Sequence, residues 1–175
     1  MGVTLPPSEL VVLGLVVEQP RHGYDLERTI AERGIRQWAE VAFSSIYYVL
    51  GKLEVRGLVR SAQRDGKKTR RVYSVTEEGR SAAAHAAASM LCNAAPSFSP
   101  FVVGLANAGL VDLARFHALL RDRARVLSER VADIEATRDA QGQLPLAARL
   151  VFSYTLATLT AERDWLTAID SGGAG

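Results

Sequence analysis

Residues 10–17 are apolar on nearly every side, interrupted only by Gly14, and no turn signal follows until Pro20. Such a run fits a buried strand or a buried helix equally well by periodicity. The length before the break selects a helix, although its β-branched residues favour the opposite choice. Ser8 is then the expected N-cap, with Glu9 in the first turn facing the positive end of the helix dipole. Helical spacing resumes over 24–33 through Leu26, Ile30 and Ala31, and Gly34 follows as a C-terminal cap. A connector over 35–41 carries Trp38. A third helix, capped by Ser44 or Ser45, places Ile46, Val49, Leu50 and Leu53 at i, i+3, i+4 and i+7 and stops at Gly57. Ser45, Tyr47, Tyr48, Lys52 and Arg56 are left on its other faces. Two short strands are expected at 58–63 and 69–75, joined by a turn over 64–68 that contains Asp65-Gly66, a hairpin signal.

The pattern changes after Thr76, which caps an alanine-rich helix with Glu77 and Glu78 in its first turn. Residues 93–100 hold two prolines among small polar residues and read as a linker. One long helix is expected over 111–138, with Leu113, Phe116, Leu120, Ala124, Leu127, Val131 and Ile134 spaced by three or four as in a helical coil. Gln141-Gly142 ends it. A last helix over 145–170 carries two apolar stripes, Leu150, Tyr154, Ala157 and Ala161, then Phe152, Leu156, Leu159, Leu166 and Ile169. Two stripes require two partners, the long helix and a second copy of the chain.

The expected fold is mainly α. An N-terminal winged helix-turn-helix, three helices and a two-stranded β-wing with a connecting helix, occupies 1–92. A linker at 93–100 and a helical dimerisation domain at 101–175 complete it. Phe116, Leu120, Leu127, Leu156, Leu159, Trp165 and Leu166 are the expected dimer residues.

Charge sharpens this picture. The chain has 175 residues and a formal net charge of +2, whereas 44–71 alone carries +6. Arg64, Lys67, Lys68, Arg70 and Arg71 crowd the hairpin, while 81–175 sums to −1. A charge run is ordinarily a solvated face. Here it adjoins a helix with its own polar face, the arrangement of a groove reader with a phosphate-gripping wing. Short or planar polar groups near the start of that helix, Ser44, Ser45, Tyr47 and Tyr48, are where such a helix meets base edges, and Lys52 lies further along it.

Other chemistries find little support. The single Cys92 precludes an internal disulfide and fits a reducing cytoplasm. No apolar run approaches the ~20 residues of a membrane span. His85 and Cys92 lie seven apart, but two ligands do not make a zinc site. No Ser-His-Asp set, phosphate loop or carboxylate pair is visible, so neither catalysis nor a cofactor is expected. Trp38, Phe98, Phe101, Tyr154 and Trp165 are candidates for an aromatic effector pocket, although core filling is the better explanation for any one of them alone.

The motifs His22-Gly23-Tyr24-Asp25-Leu26, Ser45-Ile46-Tyr47 with Leu50, Lys52-Leu53-Glu54, Gly57-Leu58-Val59, Arg70-Arg71-Val72-Tyr73 and Ser74-Val75-Thr76-Glu77-Glu78-Gly79-Arg80 resemble the PadR family of bacterial transcriptional regulators. The resemblance covers 10–80 and extends weakly to the end, where 161–166 is similar to the family's closing dimerisation helix. It implies a homodimer with one winged helix per subunit, bound to double-stranded DNA at a palindromic operator, usually as a repressor and often released by a small aromatic compound. Tyr24, Ser45, Tyr47 and the 67–71 wing would be its DNA-facing positions. Ser44 stands where the family often has Gly, and Tyr48 where it often has Pro. The alternative from another class is a winged-helix interaction module whose basic face meets an acidic protein.

Overall fold

A computed structural model describes residues 4–42, 45–63, 71–94 and 99–172. The chain divides into two compact units, Met1–Ala94 and Ala95–Gly175.

In the first unit, α1 (Pro7–Glu18) buries Val12, Leu13, Leu15 and Val16. This all-round burial explains why the run lacks an amphipathic period. The helix starts at Pro7 with Pro6 as N-cap and no side-chain cap, so Ser8 sits inside the first turn and does not cap it. Proline presets the helical φ and loses nothing where the N–H would be unpaired anyway. Next come α2 (Gly23–Glu32), a 3-10 turn over Ile35–Gln37 and α3 (Ser45–Val55). Gly34 at φ 62° ends α2 as expected. Gly57 at φ 70° turns the chain out of α3.

The wing strands are β2 (Val59–Gln63) and β3 (Arg71–Val75), paired antiparallel from Val59↔Val75 to Gln63↔Arg71. Their connecting turn lies outside the described residues. A third strand, β1 (Arg21–His22), pairs with the other edge of β3 and gives the order β1-β3-β2. Two residues are too few to show an alternating pattern, so this strand is not legible from periodicity. The Arg21 side chain fixes this corner, donating to the Leu15 carbonyl (3.1 Å), Thr29 Oγ1 (2.9 Å) and Glu18 (3.2 Å).

α4 (Glu77–Cys92) closes the unit against α1, with Ala83 and Ala86 buried. Thr76 caps it, accepting from Gly79 N at 3.0 Å and donating to the Gly57 carbonyl at 2.7 Å. The core gathers Leu26, Ile30, Ile46, Leu50, Leu53 and Val59 with the α1 residues.

In the second unit, Ser99 caps a short helix, α5 (Pro100–Ala106), where the sequence reading had a linker running to residue 100 and no helix after it. At seven residues it is too short to show a helical period. Asp112 caps α6 (Leu113–Ala140) by accepting from Arg115 N at 2.9 Å. Gly142, at φ 65°, turns the chain into α7 (Leu146–Gly172), which packs along α6. Leu120, Leu127 and Leu166 form the core, with Phe101, Leu105, Phe116, Ala124, Leu159 and Ile169 around them. Leu113, expected in the seam, is exposed in the first turn of α6.

The expected dimer residues differ in burial within the single chain. Leu120, Leu127 and Leu166 are only 1–7% exposed, packed in the unit's own core. Phe116, Leu156 and Leu159 are half-buried, and Trp165 is exposed. Of the two stripes on α7, the one through Phe152 and Leu166 faces the unit's core. The other, through Leu150 and Tyr154, stays exposed.

Candidate nucleic-acid interface

The outward face of the first unit is built on α3. Its apolar side (Ile46, Val49, Leu50, Leu53) is at most 4% exposed, which forces Tyr47 and Tyr48 outward at 58% and 67%. Tyr24, in the first turn of α2, is equally open. The Tyr47 ring crosses Gly23: a Cβ built there would lie 2.5 Å from the ring's Cε1. Helices α2 and α3 therefore bring Tyr24, Tyr47 and Tyr48 to the surface with their apolar rings solvent-exposed, the amphipathic side chains that stack on or hydrogen-bond to a polar partner.

Lys52 has a different setting from the one the sequence suggested. Glu9 of α1 is 3% exposed and accepts from Lys52 Nζ at 2.5 Å and Arg56 at 2.7 Å. Arg56 also donates to the Thr4 carbonyl at 3.0 Å. A carboxylate taken out of water needs such partners, so Glu9 is more than a dipole companion: it clamps α1 to α3. Its hydrogen bond and charge raise the Lys52 pKa above the usual lysine value. Lys52 stays charged, and its ammonium lies 5.5 Å from the Tyr48 ring centre. Glu9, the sole acid in an apolar stretch, was the sequence signal for this pairing.

Wing and helix are tied by Glu54, which accepts from Ser61 Oγ (2.6 Å) and Ser61 N (3.2 Å). Arg71, with 60% of its side chain exposed, comes to 3.9 Å from the same carboxylate. On the other edge, His22 Nδ1 lies 3.0 Å from the Arg71 carbonyl. That partner is an acceptor, so this ring nitrogen carries the proton. Arg60 is exposed on β2. His22 entered the sequence reading only within a motif, and Arg60 was not singled out although it lies in the basic segment. Ser44, Arg64, Lys67, Lys68 and Arg70 lie outside the described residues, as does the Ser45 side chain.

Two of the aromatic candidates come together within the second unit. Phe101 and Trp165 meet edge to face (centroids 6.2 Å apart) in the second unit. There the Arg123 guanidinium lies 4.0 Å from the Phe101 ring centre and donates to Glu162 at 2.7 Å. Tyr154 is on the exposed stripe of α7, Trp38 belongs to the first unit, and Phe98 lies outside the described residues. Among the described residues no three His, Cys, Asp or Glu gather to hold a metal, and no helix is long and apolar enough to cross a membrane.

Residues 12–85, spanning α1 to the middle of α4, match the Transcriptional regulator PadR-like family. Over those residues the first unit is similar to a PadR-like domain. Solved structures similar to the chain extend the likeness of fold beyond that domain. Bacillus subtilis PadR in complex with operator DNA is 19% identical, with a TM-score of 0.73 over 93% of this chain and 96% of that one. The same protein in complex with p-coumaric acid is 18% identical, with a TM-score of 0.75 over 95% and 98%. The Vibrio cholerae virulence activator AphA is 20% identical, with a TM-score of 0.75 over 94% and 96%. No curated protein sequence matches the chain. The matched stretch holds all the described DNA-facing candidates, and the matching family is one of transcriptional regulators.

Proposed function

We propose that the protein is a cytoplasmic transcriptional regulator that binds a palindromic operator in double-stranded DNA as a homodimer, represses from it, and is released by a small aromatic effector. The observation that carries this reading is the exposed tyrosine face of α2 and α3 on a PadR-like domain whose 44–71 segment holds a net +6. Tyr24, Ser44, Ser45, Tyr47 and Tyr48 would meet the groove, and Arg64, Lys67, Lys68, Arg70 and Arg71 the phosphates. Lys52, which also holds Glu9, would lie alongside them. The two B. subtilis PadR structures, one with operator DNA and one with p-coumaric acid, support both halves of the proposal. AphA is described as an activator, so the sign of regulation is tested separately, with a reporter. In the second unit, the paired Phe101 and Trp165 beside the Arg123 cation offer the surface chemistry that an aromatic acid would use.

Selection of genomic fragments by the purified protein tests the proposal. An inverted repeat should be enriched, with affinity falling steeply as salt rises. Each phosphate contact contributes about 0.9 to the slope of log affinity on log salt. Lys67→Ala with Arg70→Ala should flatten that slope by about 1.8 per subunit and weaken binding on all sequences alike. Equal affinity for selected and random DNA would favour the protein-interaction module instead, and an unchanged slope would remove the wing from the interface.

A further inference from the structure

We infer that Gly23 is a positioning residue for Tyr47, its bare Cα forming the seat that aims the tyrosine of α3. This rests on the proposed assignment of Tyr47 to DNA. The positive-φ glycines among the described residues are Gly34, Gly57 and Gly142, so the backbone at Gly23 would accept any L-residue. What position 23 uses is the missing side chain. A Cβ there would lie 2.5 Å from Cε1, 2.9 Å from Cζ and 3.2 Å from Cδ1 of Tyr47, inside contact distance for all three. Gly23 is buried although it opens a surface helix, while the ring that crosses it is 58% exposed. Tyr47 is therefore not held in the core, and it can rest in this pose only because nothing projects from residue 23.

The seat is itself fixed from the wing side. His22 pairs with Val72 in the ladder, and its Nδ1 donates to the Arg71 carbonyl. The order of contact runs from β3 through His22 and Gly23 to the Tyr47 ring, so the wing strand and the tyrosine of the reading helix share one reference point. Holding a two-torsion side chain in its bound pose before encounter removes an ordering cost that binding would otherwise bear.

The free protein gives the first test. The Gly23 α-proton resonances should be displaced by the Tyr47 ring current and return to ordinary values in Tyr47→Leu. Unmoved resonances would overturn the seat whether or not the protein binds DNA, so this failure is separable from failure of the DNA reading. The second test is a double-mutant cycle on a selected fragment. Gly23→Ala should weaken binding about ten-fold, the scale of one lost contact, and should cost less than about two-fold when Tyr47 is already Ala. The expelled ring goes to solvent and alanine suits a helix at least as well as glycine. Its thermal midpoint should therefore stay within about 2 °C of wild type. Wild-type affinity in Gly23→Ala, an equal loss in both backgrounds, or a collapse of its thermal midpoint would each overturn the inference.

Discussion

Gly79 shows how far a single position can be committed by its neighbours. A Cβ there would stand 1.9 Å from the Leu58 carbonyl oxygen, with Val75 Cγ2 at 2.9 Å. That oxygen accepts from Thr76 N at 3.1 Å, so it cannot retreat without breaking the junction between β2, β3 and α4. Gly79→Ala should therefore destabilise the protein by roughly 3 kcal/mol, the upper end of overpacking costs. Gly51→Ala, in open space on α3, should be neutral or gain up to about 1 kcal/mol from helix propensity. Chemical denaturation of the two variants checks the contrast, and equal midpoints would refute it. At this scale the sequence was partly legible. Its glycines marked the turns at Gly34 and Gly57 because a left-handed residue ends a helix locally. The glycines needed for close approach, Gly23 and Gly79, depend on atoms that the chain brings together only on folding. Glu9 belongs with them: its partners Lys52 and Arg56 come from another helix.

Elements were legible in proportion to their length. α3, α6 and α7 repeat their apolar spacing often enough to be read without coordinates. β1 and α5 are too short to repeat anything, and the start of α1 was misplaced because the prolines, not Ser8, open it. The joint between α1 and α2 carries a pH signature the sequence did not reveal. Arg33 donates to Glu18 at 2.7 Å, and Arg21 donates to its other oxygen at 3.2 Å. The Arg33 hydrogen bond is the main cause that lowers the Glu18 pKa below its ordinary 4.5. A carboxyl with a depressed folded pKa stabilises the fold above its unfolded pKa, and that contribution is lost as pH falls through the folded value. Glu18→Gln cannot titrate. Its stability should thus fall less than wild type's between about pH 5 and pH 3, while lying below wild type's at neutral pH. Both salt bridges are half-exposed, with 45% of the Glu18 side chain open to solvent, so the neutral-pH difference should be under about 1 kcal/mol. Parallel curves of stability against pH would show that Glu18 is not the group responsible.

The whole molecule leaves an apolar surface that one chain does not cover. Leu150 and Tyr154 are 60% and 74% exposed on α7, and Leu119 and Val126, two turns apart on α6, are about half exposed. An exposed apolar stripe along α7 is a candidate association surface, and the two-stripe pattern of α7 anticipated it. Periodicity shows that a helix has two apolar faces without saying which neighbour covers each, and the expected dimer residues were drawn from the stripe that packs in the unit's own core. The two faces now predict different failures. Leu150→Asp with Tyr154→Asp should dissociate the proposed dimer in light scattering while leaving the helix content intact, since both side chains already meet water in the single chain. Leu166→Asp places a charge at a position 1% exposed and should unfold the second unit instead, because an unpaired buried charge costs far more than a lost contact. The monomeric variant has a consequence for DNA as well. Each winged helix would bind its half-site independently and lose the gain from linkage, and the salt slope per binding event would fall to about half. A Leu150→Asp/Tyr154→Asp protein that remained dimeric would move the interface to the exposed residues of α5 and α6. One that became monomeric yet kept full operator affinity and slope would mean that DNA is read by one chain at a time.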